Sequence, residues 1–372
     1  MTRSERPRWR RGVDIVVRSV LPVLFALIVG AIILWALGKD PLTFYADIVA
    51  NGLADGNWQN SMVLMSPLLI MGIALIVVFR GQLWNLGYDG QYLLGAVFAA
   101  GFGPTLTQQM PPFLAYVILS IGAIVVGALW TLIPAWLKAR YGTNEIITTL
   151  VMSTIGIGIA NMLIKGVFQD PNVVTPQTAA IPLDAMLPFI PGTQVNIGFI
   201  VAIVVALAFH VILTRTSFGL RLDVYGSNPK AARHVGINSR SMVVVLFLIS
   251  GGLIGLAAAM DMLGQWGYLR ANWNPSYGNE ILPFVFLARL SPLASIPFIA
   301  FYAVFATGAT IASQQAGLSV DFLMVIVALV LVFMTITEYV GTKRDLGQSY
   351  LPDELKDAFR RPFASMTRRT TS

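Results

Sequence analysis

Cysteine is absent from all 372 residues, and histidine occurs only at His210 and His234. The first absence excludes disulfides, thiolate metal sites and a cysteine nucleophile, while leaving the redox compartment open. The second leaves any histidine-based zinc site or Ser/His/Asp arrangement to rest on one of two residues, neither in an H-x-x-x-H or G-x-S-x-G context. No metal site and no catalytic residues are expected. Charge is scarce as well: Asp, Glu, Lys and Arg make up 12% of the chain, against about 25% in a typical soluble domain. With 56% hydrophobic residues beside that shortage, the chain belongs to the membrane class. A phosphate-cradling loop is missing too. G-x-x-x-x-G-K-[ST] occurs nowhere, and its nearest approach, Gly38-Lys39-Asp40, fails at its last position and at its first, Ile33. The chain therefore does not hydrolyse ATP itself.

What charge there is has a pattern. The net charge of +7 collects in three places: residues 1–18 (six Arg against two acids), 215–240 (five basic residues against Asp223) and the tail after Gly341 (seven basic against four acidic). Each block flanks a hydrophobic run, whereas 39–60 and 165–195 are slightly acidic. That is the positive-inside asymmetry of a membrane protein and not a nucleic-acid-binding face.

Apolar runs of about 20 residues, the length that crosses a bilayer core of about 30 Å, fall near 15–37, 61–79, 86–103, 113–137, 145–164, 195–214, 241–263, 293–312 and 320–340. The first is long enough to span and shows no small-residue cleavage pattern, so it reads as a membrane helix and not a removable signal. Nine crossings cannot leave two basic termini on one side. The short apolar segment 277–290 supplies a tenth pass, tolerable in a membrane only where protein or a wet cavity satisfies its free backbone groups. The expected fold is an all-α polytopic membrane protein of about ten transmembrane helices, one short or broken, with both termini cytoplasmic. It divides into a basic arm (1–18), a transmembrane domain (19–340) and a basic tail (341–372). Glycines inside the runs, such as Gly127, Gly251 and Gly255, suit close helix approach.

Several polar stretches interrupt this pattern. Trp84-Asn85-Leu86-Gly87-Tyr88-Asp89-Gly90-Gln91 brings polar side chains to the mouth of a membrane helix; it reads either as a hinge lining a solute path or as a cytoplasmic turn with Asp89 at a helix start. In Gly142-Thr143-Asn144-Glu145, Thr143 or Asn144 can cap a helix whose first-turn Glu145 suits its dipole. Asn161, deeper in that run, needs partners and so faces the bundle interior. Trp266 and Trp273, set among Gln265, Asn272 and Asn274, could stack on a flat or sugar-like solute or form an interfacial aromatic belt. Arg80-Gly81-Gln82-Leu83 and Arg289-Leu290-Ser291-Pro292 are a weak internal echo of each other. In 215–240, Asn228-Pro229 starts a helix, Ala231-Ala232 favours it and Gly236 stops it. A helix of about two turns is marginal alone, so a docking groove on a partner is expected to hold it, with Ala231 and Ala232 permitting close approach.

Those stretches carry a resemblance. Gly219, Arg221, Gly226, Asn228-Pro229, Ala231-Ala232 and Gly236-Ile237 reproduce the pattern G-x-R-x-x-x-x-G-x-N-P-x-A-A-x-x-x-G-I. It resembles the coupling region of bacterial ABC importer permeases of the simple-sugar, nucleoside and branched-chain amino acid group. Asn85-Leu86-Gly87 through Gly90-Gln91-Tyr92-Leu93-Leu94-Gly95-Ala96, Gly142 through Thr149, and Arg289-Leu290-Ser291-Pro292-Leu293 fit the same group, so the likeness samples residues 60 to 312. The N-terminal arm and the Asn-Glu-Ile-Ile stretch look most like nucleoside-type permeases. The chain departs from the group at Tyr88-Asp89, where a small or β-branched residue and Glu are usual, and at Ser291, where His or Gly is common.

The resemblance implies a transport subunit in the bacterial inner membrane, not an enzyme, importing a nucleoside or simple sugar. It implies no cofactor on this chain, with ATP and Mg on a separate ATPase subunit. It also implies a second permease chain, identical or paralogous, and an extracytoplasmic substrate-binding protein. ATPase coupling would fall to Gly219, Arg221, Gly226, Asn228, Pro229, Ala231, Ala232 and Gly236. The substrate path would take in Trp84, Asn85, Asp89, Gln91, Asn144, Glu145 and Asn161. The alternative is an ion-coupled transporter or channel using intramembrane acids such as Asp261, Glu280 or Glu338.

Overall fold

The apolar runs fold into helices throughout a computed structural model that describes residues 8–54, 56–319 and 321–345. The start of the basic arm (1–7) and most of the basic tail (346–372) lie outside the described residues. In chain order the α-helices are α1 (Arg8–Ala36), α2 (Pro41–Leu53), α3 (Asn57–Arg80), α4 (Tyr88–Gln109), α5 (Pro112–Trp130), α6 (Leu132–Tyr141) and α7 (Glu145–Lys165). They continue as α8 (Gly198–Arg215), α9 (Ser217–Ser227), α10 (Pro229–His234), α11 (Ser239–Asp261), α12 (Tyr277–Leu287), α13 (Pro292–Ala316) and α14 (Phe322–Asp345). Among the described residues there are no β-strands, only three isolated bridges.

Among the described residues eight stretches are long and apolar enough to cross a membrane: Arg18–Ala36, Asn57–Arg80, Pro112–Tyr141, Glu145–Lys165, Gly198–Arg215, Ser239–Trp266, Pro292–Ala316 and Phe322–Gly341. The run at 86–103 is helical as α4 but is not among them. Its Gly, Gln, Tyr and Asp content lowers its hydropathy, which its burial permits, since Gly90 through Val97 face protein and not lipid. The segment 277–290 contains α12, whose eleven residues span about 16 Å, roughly half a bilayer core.

The chain separates into two units. In the smaller, formed from most of α1 and of α14, Arg18 donates to the Gly341 carbonyl at 3.3 Å, and Phe25 lies 5.6 Å from Phe333. In the larger, α3 and α11 are central: 89% and 67% of their most apolar windows are buried, against 22% for α5–α6 and α8. The outer helices present their remaining apolar side chains as lipid-facing surface, consistent with a bilayer. Small residues bring α5 and α11 together. A Cβ on Gly251 would collide with the Gly127 carbonyl, and one on Gly255 with the Ala123 carbonyl. Dispersion between closely approached backbones is what holds helices together where lipid offers no hydrophobic drive.

The connections of this unit gather at two ends. At one end lie the turns 81–87 and 142–144, the segment 216–238 and the turn 288–291. At the other, the long connection 166–197 is tied down through its backbone: Thr178 N–H to Leu269 O at 3.0 Å, Ile181 to Gly267 at 2.9 Å and Leu187 to Leu263 at 2.9 Å. These bonds satisfy groups that an irregular segment would otherwise leave unpaired.

Candidate functional site: a coupling segment and a polar chamber

The polar segment 215–240 contains two helices. Thr216 caps α9, accepting from Gly219 N–H at 3.5 Å, and Gly219 sits against the Leu213 carbonyl with no room for a Cβ. Asn228 then caps α10, its Oδ1 accepting from Lys230 N–H at 3.0 Å and Ala231 N–H at 3.1 Å, and Pro229 is the first helical residue. Gly236 ends the motif at φ 82°, a conformation glycine adopts without a Cβ penalty.

The sequence suggests one helix of about two turns between two glycines. The structure shortens it to six residues and sets an eleven-residue helix before it. Glycines at 219 and 226 give α9 poor intrinsic propensity, so tertiary contacts stabilise it instead. Leu222 and Tyr225 are buried, Gly226 lies against the Arg80 carbonyl, and Asp223 accepts from Arg80 Nε at 3.1 Å and Nη2 at 2.7 and 2.9 Å. Burial pushes the Tyr225 phenol up from its ordinary range; the Glu145 carboxylate adds to the shift and Arg233 opposes it. One expectation changes: Ala232 is fully buried within its own chain, while Ala231 is exposed. The exposed residues of the segment include Arg221, Pro229, Lys230, Ala231, Arg233 and two large apolar side chains, Leu220 (67% exposed) and Val235 (69%).

The stretch 84–91 folds around its amides. Asn85 is fully buried; its Nδ2 donates to Gln91 Oε1 and to Ser250 Oγ, both at 3.0 Å, and its Oδ1 accepts from Gln91 Nε2 at 2.8 Å. Gln91 is 1% exposed, so these two amides satisfy each other and cement α4 to α11. Asn144 caps α7 through Ile146 N–H at 2.9 Å, and Glu145 pairs with Lys138 at 2.7 Å. Asn161, near the far end of α7, donates to Ile157 O at 3.0 Å and accepts from Asn272 N–H at 2.6 Å. Trp84 differs from these. It is 37% exposed and completes an aromatic cluster with Phe79 (centroids 4.9 Å apart) and Phe286 (5.9 Å), Phe79 and Phe286 being stacked at 5.1 Å.

Asp89 belongs to a second constellation. Its carboxylate faces the Asn274 amide, and the carboxylate of Glu280 lies near it and beside Tyr302, whose buried hydroxyl has no hydrogen-bond partner. The Tyr88 hydroxyl donates to Asn279 Oδ1 at 2.5 Å. Beneath them Asp261, 1% exposed, takes a hydrogen bond from Tyr92 and has Tyr277 and Trp266 beside it. The Trp266 and Trp273 rings meet edge to face, 5.0 Å apart at 61°. The wall behind is irregular: α11 runs into a π-helical turn, Met262–Trp266, whose Gly264 carbonyl accepts from Asn196 Nδ2 at 2.9 Å. These acids and tyrosines are scattered over four helices in sequence, and the signal that could have joined them was ionisable residues in membrane-length apolar sequence. Among the described residues no group of three or more His, Asp or Glu side chains could hold a metal ion.

A bundle of membrane-length helices with a polar cluster in one flank and a capped, exposed helix pair at one end defines a polytopic membrane protein. Residues 57–336 match the model of a family described as branched-chain amino acid transport system / permease component, and the chain belongs to that family. It is thus a transport subunit of a multi-pass plasma-membrane system and not an enzyme. The chain is 30% identical over 332 residues to the glucose ABC transporter permease protein of Haloferax volcanii, covering 86% of this chain and 87% of that one. It is 26% identical to a nucleoside ABC transporter permease protein of Lactococcus lactis subsp. cremoris (85% of this chain, 90% of that one). It is 28% identical to a guanosine ABC transporter permease protein of Bacillus subtilis (67% and 72%).

Proposed function

We propose that this chain forms the translocation path of an ATP-driven importer for a nucleoside or simple sugar, the solutes named for its relatives. In this reading a second permease chain, identical or paralogous, completes the path, and an extracytoplasmic binding protein delivers the solute. A separate ATPase carries ATP and Mg. The eight candidate spans together with α4 and α12 make ten passes, with both termini and the segment 215–240 on the cytoplasmic side, where the basic residues collect.

The observation that carries the reading is the capped helix pair α9–α10, which is anchored by Asp223 to the end of the most buried helix and yet leaves Ala231, Leu220 and Val235 uncovered. That combination suits an element that receives force from a soluble partner and passes it inward. Asn228 and Pro229 start α10, Gly236 ends it, Gly219 and Gly226 allow α9 to lie close to α8 and α3, Arg221 and Ala231 meet the ATPase, and Ala232 seats the helix on its own bundle. For the path, Trp84 and Asp89 line it, whereas Asn85, Gln91, Asn144, Glu145 and Asn161 hold its walls. Uptake into proteoliposomes tests this: it should require both the ATPase subunit and ATP. Uptake sustained by an ion gradient alone would overturn the reading in favour of a secondary transporter.

A further inference from the structure

The polar cluster between the amino end of α4, the π-turn and α12 has a partly exposed rim, Asp89, Trp273, Asn274 and Glu280, and forms a chamber with features that a merely packed core does without. Non-glycine residues with positive φ stand at Asn272 (62°) and Ser276 (54°), shortly after the π-turn Met262–Trp266. Left-handed backbone and π-turns both concentrate at functional sites, where surrounding structure must offset their cost. Gly278 is pressed onto the Tyr88 ring so closely that a Cβ would collide with it, which fixes α12 against α4. Acids at membrane depth are expensive and mark solute paths, and here Asp89 and Glu280 remain partly exposed while Asp261 behind them is sealed.

From this arrangement we infer that the chamber is the solute-binding station of the path, and that it is built for an uncharged ring compound bearing several hydroxyls. The inference rests on the permease reading above. Two indoles meeting at 61° form a corner with an apolar face for a nucleobase or for the C–H face of a sugar; such stacking tolerates either ring. The rim supplies hydrogen-bond acceptors: Asp89 and Glu280 as carboxylates, with Asn274 and Asn279 as amides beside them. Hydroxyl groups donate to such a rim. Among the described residues neither carboxylate lies within salt-bridge distance of a lysine, arginine or histidine, so a phosphate ester would meet like charge there. Rejection of phosphorylated forms follows from repulsion, which discriminates as effectively as attraction. A nucleoside and a simple sugar share the required chemistry, and the probes separate them.

The experiment uses the full chain in nanodiscs, without ATPase or binding protein, and saturation-transfer-difference NMR, which detects weak binding. The probes are guanosine, glucose and guanosine 5′-monophosphate, each at millimolar concentration. Guanosine or glucose is expected to receive saturation, and the monophosphate about tenfold less than guanosine. Trp273→Ala should cut the signal of the bound probe by about tenfold, the scale of one lost stacking contact, whereas Trp58→Ala, outside the chamber, should leave it unchanged. Asp89→Asn with Glu280→Gln should bring the monophosphate up toward guanosine. Equal, measurable signals from guanosine and its monophosphate on the native chain, or a Trp273→Ala variant indistinguishable from native with the probe that binds, would overturn the assignment. Failure is distinguishable from failure of the importer reading. If no probe binds while proteoliposomes with the partner subunits still take up guanosine with ATP, the chamber is wrong and the importer stands.

Discussion

The contact between Arg80 and Asp223 offers a test in which stability and function separate. Arg80 closes α3 and Asp223 lies in the middle of α9; three hydrogen bonds of 2.7 to 3.1 Å join them. The Asp223 side chain is 49% exposed, so solvent screens the pair and its worth to folding is about 0.2–1 kcal/mol. Against that stands α3, whose most apolar window is 89% buried. Arg80→Asp or Asp223→Arg should therefore fold and insert normally, with thermal stability in detergent close to native.

Transport should respond very differently. If α9 passes motion to α3 through this pair, removing it takes away coupling free energy, which in proteins runs to about 1–3 kcal/mol, or 5–150-fold. ATP-driven uptake in proteoliposomes is expected to fall by a factor in that range in each single variant, while the partner subunit continues to hydrolyse ATP. The exchange variant, with both substitutions, restores opposite charges and should recover most of the loss, a non-additivity that a double-mutant cycle reads directly. Native uptake in both single variants, or an exchange variant no better than the worse of them, would refute the reasoning.

Ala231→Glu should lower uptake by about tenfold or more through like-charge and desolvation penalties at a docked face without changing the melting temperature of the isolated chain, whereas Ala232→Leu should destabilise the chain itself by about 1–3 kcal/mol because it overpacks a fully buried site. Asn85→Ala strips Gln91 and Ser250 of partners and should cost about 1–3 kcal/mol of stability, measured by urea titration in detergent with solute binding assayed alongside; a loss of binding with no change in stability would instead make Asn85 a contact residue. Gly255→Leu should prevent α5 and α11 from approaching, and its yield of folded protein after membrane extraction is expected to be far below native; normal yield would show that the crossing tolerates separation.

Helix existence was legible wherever burial in lipid dictates composition, because a bilayer demands about 20 apolar residues whatever surrounds them. It became illegible where protein replaces lipid. Helix α4 lies among other helices and can carry Gly90, Gln91 and Tyr92 in place of leucines, so its pattern reads as a span although its hydropathy does not suffice. The same screening hid α9, which is stabilised by Leu222, Tyr225 and the Arg80 contact instead of by propensity. The caps Asn144 and Asn228 were readable because a cap acts on the two or three residues that follow it. Reading the path was harder. Polar residues near one another in sequence, Asn85, Gln91 and Asp89, serve different ends: the first two saturate each other, while the third turns toward Asn274 and Glu280, almost two hundred positions away.

The proposed coupling segment and the proposed path meet on one short turn. Gly226 and Asp223 hold the end of α3 at Arg80, and four residues later Trp84 lies in the aromatic cluster with Phe286 of α12. Between them Gln82 has φ 55°, and the facing turn after α12 has Arg289 at 51° and Leu290 at 54°. These residues lie where the two Arg-containing stretches echo each other in sequence, and both turns line a cavity of about 520 Å³ beside α9. Strained backbone of this kind persists only where its surroundings over-determine it, and here α9 is part of those surroundings. A displacement of α9 would therefore release the turn that carries Trp84 before it disturbed α3, whose burial resists movement. The same turn continues into Tyr88 and Asp89, so one short stretch of backbone connects the proposed coupling segment to the proposed solute site.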